Sequence, residues 1–130
     1  MMAILPAFLG PIIADAGQQA PIAEFYTDER LFVAEYINDQ VLPNFSLARC
    51  RVKPGITTQL HSLLVHEWYV IESGRGLMDL DGEEQMVSVG SVVQIPQGTQ
   101  QRITNTGHRD LVFFCVCMPR FTNDSYTSHE

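Results

Sequence analysis

The sequence predicts an all-β protein, a sandwich or a barrel of short strands. Three observations carry this prediction. Runs rich in β-branched and aromatic residues recur from residue 30 onward. Gly or Pro punctuates them about every 8 to 12 residues, the spacing of short strands joined by turns. Little in the chain reads as a long helix.

The elements follow in order. "LFVAEYI" (31–37) is a β-rich run. "NFSLARCRV" (44–52) alternates Ser46, Ala48, Cys50 and Val52 with Leu47, Arg49 and Arg51. Pro54-Gly55 breaks the chain. "HEWYVIES" (66–73) is β-branched and aromatic, and Gly74 ends it. "GLMDLDG" (76–82) closes on Asp81-Gly82, a hairpin signal. "EQMVSVG", "SVVQIPQG", "QRITNTG" and "DLVFFCVCMP" complete the series, punctuated by Gly90, Pro96-Gln97-Gly98, Gly107 and Pro119.

With 130 residues the chain is one domain's worth, enough for one hydrophobic core. A formal charge of −7 argues against nucleic acid and against anionic membrane surfaces as partners. No apolar run reaches the length of a membrane span. The segment "MMAILPAFLGPIIADAGQQA" is apolar and ends in small residues, as a signal peptide does. It has no Lys or Arg before its apolar part, and Pro6, Gly10 and Pro11 break it early. It is therefore read as an arm that packs on the domain or on a second subunit. The expected organisation is an arm over 1–29, a barrel over 30–121 and a polar, loose tail over 122–130.

Cys50, Cys115 and Cys117 are an odd, sparse set. Cys115 and Cys117 share a strand face, yet i, i+2 positions make poor disulfide geometry. They are read as buried thiols in a reducing cytoplasm, either lining a pocket with Phe113 or packing between sheets, with packing favoured.

Strand parity limits a candidate site in 61–74. Residues of one strand share a face only at even separation. His66 and Glu67 are adjacent, so they cannot serve one ion unless a bulge intervenes. The constellation is His61 with Glu67, or His61 with His66. Tyr69 and Ile71 are in phase with Glu67. His66, Trp68 and Val70 form the opposite face, too apolar for open solvent and expected to be covered by another sheet or subunit. Burial statistics put Arg49 and Arg51 outside. A reversed register would bring one of them into the pocket against an anionic group.

These residues carry a resemblance. Gly55-x5-His61-x-Leu63-x3-Glu67-x6-Gly74 resembles the first motif of the cupin superfamily, Gly-x5-His-x-His-x3-4-Glu-x6-Gly. Gly90-x5-Pro96-x-Gly98-x2-Gln101-x3-Asn105 resembles the second, Gly-x5-Pro-x-Gly-x2-His-x3-Asn. The resemblance implies a double-stranded β-helix, or jelly-roll barrel, here preceded by the N-terminal arm. It also implies a divalent metal held by three histidines and a glutamate. Leu63 and Gln101 stand where two of those histidines would be. Carried over residue by residue, the set is His61, Glu67 and Gln101: one imidazole, one carboxylate and one amide oxygen. Such a set would hold Zn, Mn or Fe(II) weakly or partially, or would be a polar pair without metal.

The function expected from the resemblance is binding of a small polar or carboxylate metabolite, with lyase, isomerase, cyclase or decarboxylase chemistry. His61 and Glu67 would be ligands or acid–base groups, and Tyr69 a hydroxyl donor. Oxygen activation is disfavoured, because a two-histidine facial triad is incomplete. The alternative is a non-catalytic ligand-binding or sensor barrel. The expected assembly is a homodimer.

Overall fold

The structure, a computed structural model, describes residues 22–130. Most of the arm expected over 1–29 lies outside the described residues. Eleven strands form two antiparallel sheets. The first sheet holds β1 (Phe25–Tyr26), β2 (Phe32–Ile37), β3 (Ser46–Val52), β10 (Leu111–Met118), β5 (His66–Ser73) and β8 (Val92–Ile95), in that spatial order. The second holds β11 (Tyr126–Ser128), β4 (His61–Leu63), β9 (Gln101–Asn105), β6 (Arg75–Leu80) and β7 (Glu83–Ser88). The inner faces of the two sheets enclose the core. The fold is the jelly-roll barrel that the motifs imply.

Register explains which side chains face in. In the first sheet β10 lies between β3 and β5, pairing Cys117 with Glu67, Cys115 with Tyr69 and Phe113 with Ile71. In the second, β9 pairs Gln101 with His61 on one side and Leu80 on the other. The closed half of the barrel is apolar: Val52, Ile71, Met78, Ile103, Leu111 and Phe113 are all buried. Burying such side chains contributes about 1.5–3 kcal/mol each and supplies most of the stability. Gly74 is required where β5 turns into β6. Its φ is +85°, and a Cβ there would stand 2.7 Å from the Asp110 carbonyl oxygen.

Arg49 and Arg51 point outward. Arg51 binds Glu24 at 2.8 Å and Asp110 at 2.9 Å, and Arg49 binds Glu72 at 3.1 Å. Ala48 and Cys50, between and beside them, line the interior. Trp68 and Val70 stand on the outer face of the first sheet, where Val70, Val92 and Met118 are exposed. Among the described residues no helix is long and apolar enough to cross a membrane.

The tail is the main correction to the sequence reading. It is not loose: a short 3-10 turn (Asn123–Ser125) leads into β11, which pairs with β4 from Tyr126 opposite Leu63 to Ser128 opposite His61. Polar composition hid this. The strand is held by backbone hydrogen bonds along the free edge of β4 and by the Tyr126 ring, stacked on His61 at 4.7 Å. Arg30 secures the end of the chain through Glu130 at 2.7 Å.

Candidate functional site

Alternation carries buried residues from β4 into β5: His61, Leu63, Val65, Glu67, Tyr69 and Ile71 face in, and His66 and Val70 face out. His61 and Glu67 nevertheless belong to different sheets, because the chain crosses over between β4 and β5. They approach the barrel interior from opposite walls. The Pro96-Gln97-Gly98 turn, tied to β4 by Gly98 N–H donating to the Leu63 carbonyl at 2.8 Å, delivers Gln101 to the start of β9.

Gln101 fastens the two walls together. Its amide nitrogen donates to Glu67 Oε1 at 2.8 Å, and its Oε1 accepts from the Tyr69 hydroxyl at 3.0 Å. The Cys115 thiol donates to Glu67 Oε2 at 2.6 Å, and the Cys117 thiol lies 3.7 Å from the same oxygen. Both carboxyl oxygens of Glu67 therefore have donors. Burial pushes its pKa up, while the Cys115 and Gln101 hydrogen bonds and the nearby His61 oppose the rise. Burial also raises the Tyr69 hydroxyl well above its ordinary value, so it is a hydrogen-bond donor and not a base at neutral pH.

His61 is buried and sits beside this network, one strand from Gln101. Its Nδ1 is 2.8 Å from the Gln59 carbonyl, which can only accept, so Nδ1 carries the proton. Nε2 faces Glu29 Oε1 at 3.9 Å. Burial lowers the His61 pKa against the pull of the Gln59 bond and of Glu67, leaving a neutral imidazole with its Nε2 lone pair free. Burial pushes Glu29 up to about 8.

The cavity opens along the first sheet. It spans about 510 Å³ with its mouth included, of which about 60 Å³ stands clear of the walls. Most of its wall is apolar; Glu29, Glu35, Asn38, Ser46, Glu67, Tyr69 and the three cysteines supply the polar groups, and none of the lining residues is Lys or Arg. Glu35 is 1 % exposed, and among the described residues neither of its carboxyl oxygens has a well-formed hydrogen bond, although the nearby Asn38 side chain and Arg120 favour its charged form. Burial raises its pKa.

Of the residues singled out from sequence, Glu67, Tyr69 and Gln101 join in one hydrogen-bonded chain, with His61 beside them. His66 is exposed on the outer face, where its Nδ1 accepts from the Gln97 N–H at 3.3 Å. Sequence reasoning missed Glu35 and Glu29 and gave Cys115 and Cys117 a packing role. Glu35 had a signal, since it shares a face with Leu31, Val33 and Ile37 in an alternating strand. Glu29 lies in a loop and had none.

The cation that the motifs imply does not suit the residues they place here. Leu63 is carbon, packed with Val65 and Cys117. The Gln101 oxygen faces Tyr69, and its N–H faces Glu67, so the carboxylate meets a donor where a shared cation would need a second acceptor.

The barrel interior thus holds a buried acid, Glu67, at the wall of a largely apolar cavity, with the His61 imidazole beside it. The cupin domain family matches residues 48–117, more than half of the chain, and the chain belongs to that family. It is 31 % identical over 107 residues to an uncharacterized protein of Methanocaldococcus jannaschii, covering 79 % of this chain and 85 % of that one. Among solved structures, a protein of Photorhabdus luminescens superposes with a TM-score of 0.71 at 19 % identity, over 84 % of this chain and 88 % of that one. The nucleoside dehydratase Pac13 of Streptomyces gives 0.69 at 18 % identity, over 82 % of each chain. At these identities the structural likeness shows the fold alone.

Proposed function

We propose that this cupin binds a small neutral or cationic polar molecule in its cavity and moves a proton on it, in a reaction of the lyase or isomerase type. The carrying observation is Glu67, a buried acid of raised pKa held at the cavity wall by Gln101 and Cys115. A carboxyl whose pKa is raised by burial can hold a proton and pass it to a bound molecule. Gln101 and Tyr69 position it. His61 lies behind the cavity wall, where its Nε2 faces Glu29, a lining residue. A carboxylate metabolite suits the site less well, because three carboxyls and no Lys or Arg line the cavity. That a structural neighbour is a dehydratase supports the lyase side of this reading.

The test is a thermal-shift screen of small polyols and amines on the wild type and on Glu67→Gln. A compound that stabilises the wild type and not the variant is expected. Deuterium entering that compound from D2O, seen by NMR, then marks proton transfer. A compound that protects both proteins equally would sink the role given to Glu67. Binding without exchange would leave a non-catalytic ligand-binding barrel.

Two copies pair through the outer face of the first sheet, where half-buried Trp68, Phe114 and Val116 adjoin exposed Val70 and Val92. Light scattering that gave a clean monomer mass at micromolar concentration would count against pairing. The three free thiols suit a reducing compartment such as the cytoplasm.

A further inference from the structure

The geometry points to a second use of Glu67: with Cys115 and Cys117 it forms a site for a thiophilic divalent metal, on the first-sheet wall of the cavity. This goes beyond the proton-transfer reading and does not depend on it.

Two of the three ligand-atom pairs already stand at the separations a tetrahedral metal needs. Cys115 Sγ and Cys117 Sγ are 3.9 Å apart, and Cys117 Sγ is 3.7 Å from Glu67 Oε2. Zinc takes thiolates at about 2.3 Å and carboxylate oxygens at about 2.0–2.2 Å, so tetrahedral angles place two sulfurs about 3.8 Å apart and a sulfur about 3.5 Å from the oxygen. Only the Cys115–Glu67 pair, now joined by a thiol hydrogen bond at 2.6 Å, must open by about 1 Å to admit the ion. Cys115 and Cys117 share a face of β10, and Cys117 is the register partner of Glu67. Among the described residues no other set of three His, Cys, Asp or Glu residues converges in this way.

Glu35 adds a further buried carboxyl to the same cavity. It lines the same cavity, is 1 % exposed, and among the described residues neither carboxyl oxygen has a hydrogen-bond partner. A carboxyl in that state costs free energy unless something positively charged or hydrogen-bond-donating arrives beside it. An ion held by Glu67, Cys115 and Cys117 keeps a fourth position toward this cavity.

Two sulfurs and one oxygen favour Zn, Co or Cd over Mn, Mg or Ca. As each metal–sulfur bond forms, the thiol gives its proton to solvent, and no group changes oxidation state. Gln101 retains Glu67 Oε1 while the metal takes Oε2. The metal-bound carboxylate no longer carries a proton, so the metal-loaded protein is silent in the chemistry proposed above.

Co(II) is the probe. Titration of the reduced, untagged full chain should give one equivalent of sulfur-to-cobalt charge-transfer absorption, displaced by one equivalent of Zn. Cys115→Ser and Cys117→Ser should each lose most of that absorption, and the double variant all of it, while Cys50→Ser retains it. Alkylation of the wild type read by mass spectrometry gives a second measurement that needs no variant: Zn should protect Cys115 and Cys117 and leave Cys50 unchanged. Absence of charge transfer in the wild type, its survival in the double variant, or Zn protection of no cysteine would each overturn the site. Ligand protection that depends on Glu67 would survive any of those results, so the two readings fail separately.

Discussion

The two ends of the barrel interior are built from the same strands and have opposite chemistry. On β5, Glu67 and Tyr69 occupy one end and Ile71 the other; on β10, Cys117 and Cys115 face Phe113; on β9, Gln101 precedes Ile103. Register keeps like with like, pairing Glu67 with Cys117 and Ile71 with Phe113. One end is a close-packed apolar core. The other is a hydrogen-bonded chain around a cavity that contains the buried Glu35 carboxyl. The barrel thus derives its stability from one end and keeps costly polar groups at the other, where a ligand can use them.

The comparison can be broken most forcefully at the apolar end. Phe113 is fully buried and stacks on Tyr69 with ring centroids 4.2 Å apart. Phe113→Ala should cost about 3–5 kcal/mol in urea unfolding. A loss as large from Glu67→Gln would mean that the polar end carries the fold as well.

Next in size is a pH effect confined to the polar end. The unfolded Glu29 titrates near 4.5 and the folded one at about 8. Between those values the unfolded chain sheds a proton that the folded chain keeps, so stability should fall as pH rises from about 4.5 to about 8. Glu35 and Glu67, also raised, act in the same direction. Because the Glu29 side chain remains 18 % exposed, solvent moderates its part, which is on the order of 2 kcal/mol. Thermal melts across this range should flatten in Glu29→Gln. An equally steep profile in that variant would move the effect elsewhere.

Glu35→Leu sharpens the same contrast by making the polar end more like the apolar one. Removing this buried carboxyl should raise stability by about 1–3 kcal/mol while weakening any cation held in the cavity. A lower melting temperature would show that Glu35 has a partner in solution. The smallest effect belongs outside the barrel. His66→Ala should shift stability by less than about 0.5 kcal/mol and leave ligand and cobalt binding unchanged. A loss of either would place His66 inside.

Much of this arrangement was legible in the chain itself. The period of two, the turn residues at Gly74, Gly82, Gly90 and Gly98, and the two motifs pointed to a barrel and to the inward direction of His61, Glu67, Tyr69 and Gln101. These are local properties, set by side-chain alternation and by backbone angles that glycine adopts readily. Parity set His66 and Glu67 on opposite faces, and the structure puts His66 on the outer one. The tertiary structure decided which inward residues meet. It brought Cys115 and Cys117 to Glu67 through the register of β10 against β5, a pairing of residues 48 or more apart in sequence. It turned the Gln101 oxygen to Tyr69, and it drew a polar tail onto β4 so that Tyr126 covers His61. Such contacts arise from long-range register and edge pairing between elements, where each side chain's neighbours are selected by the whole sheet and leave no mark in the local sequence period.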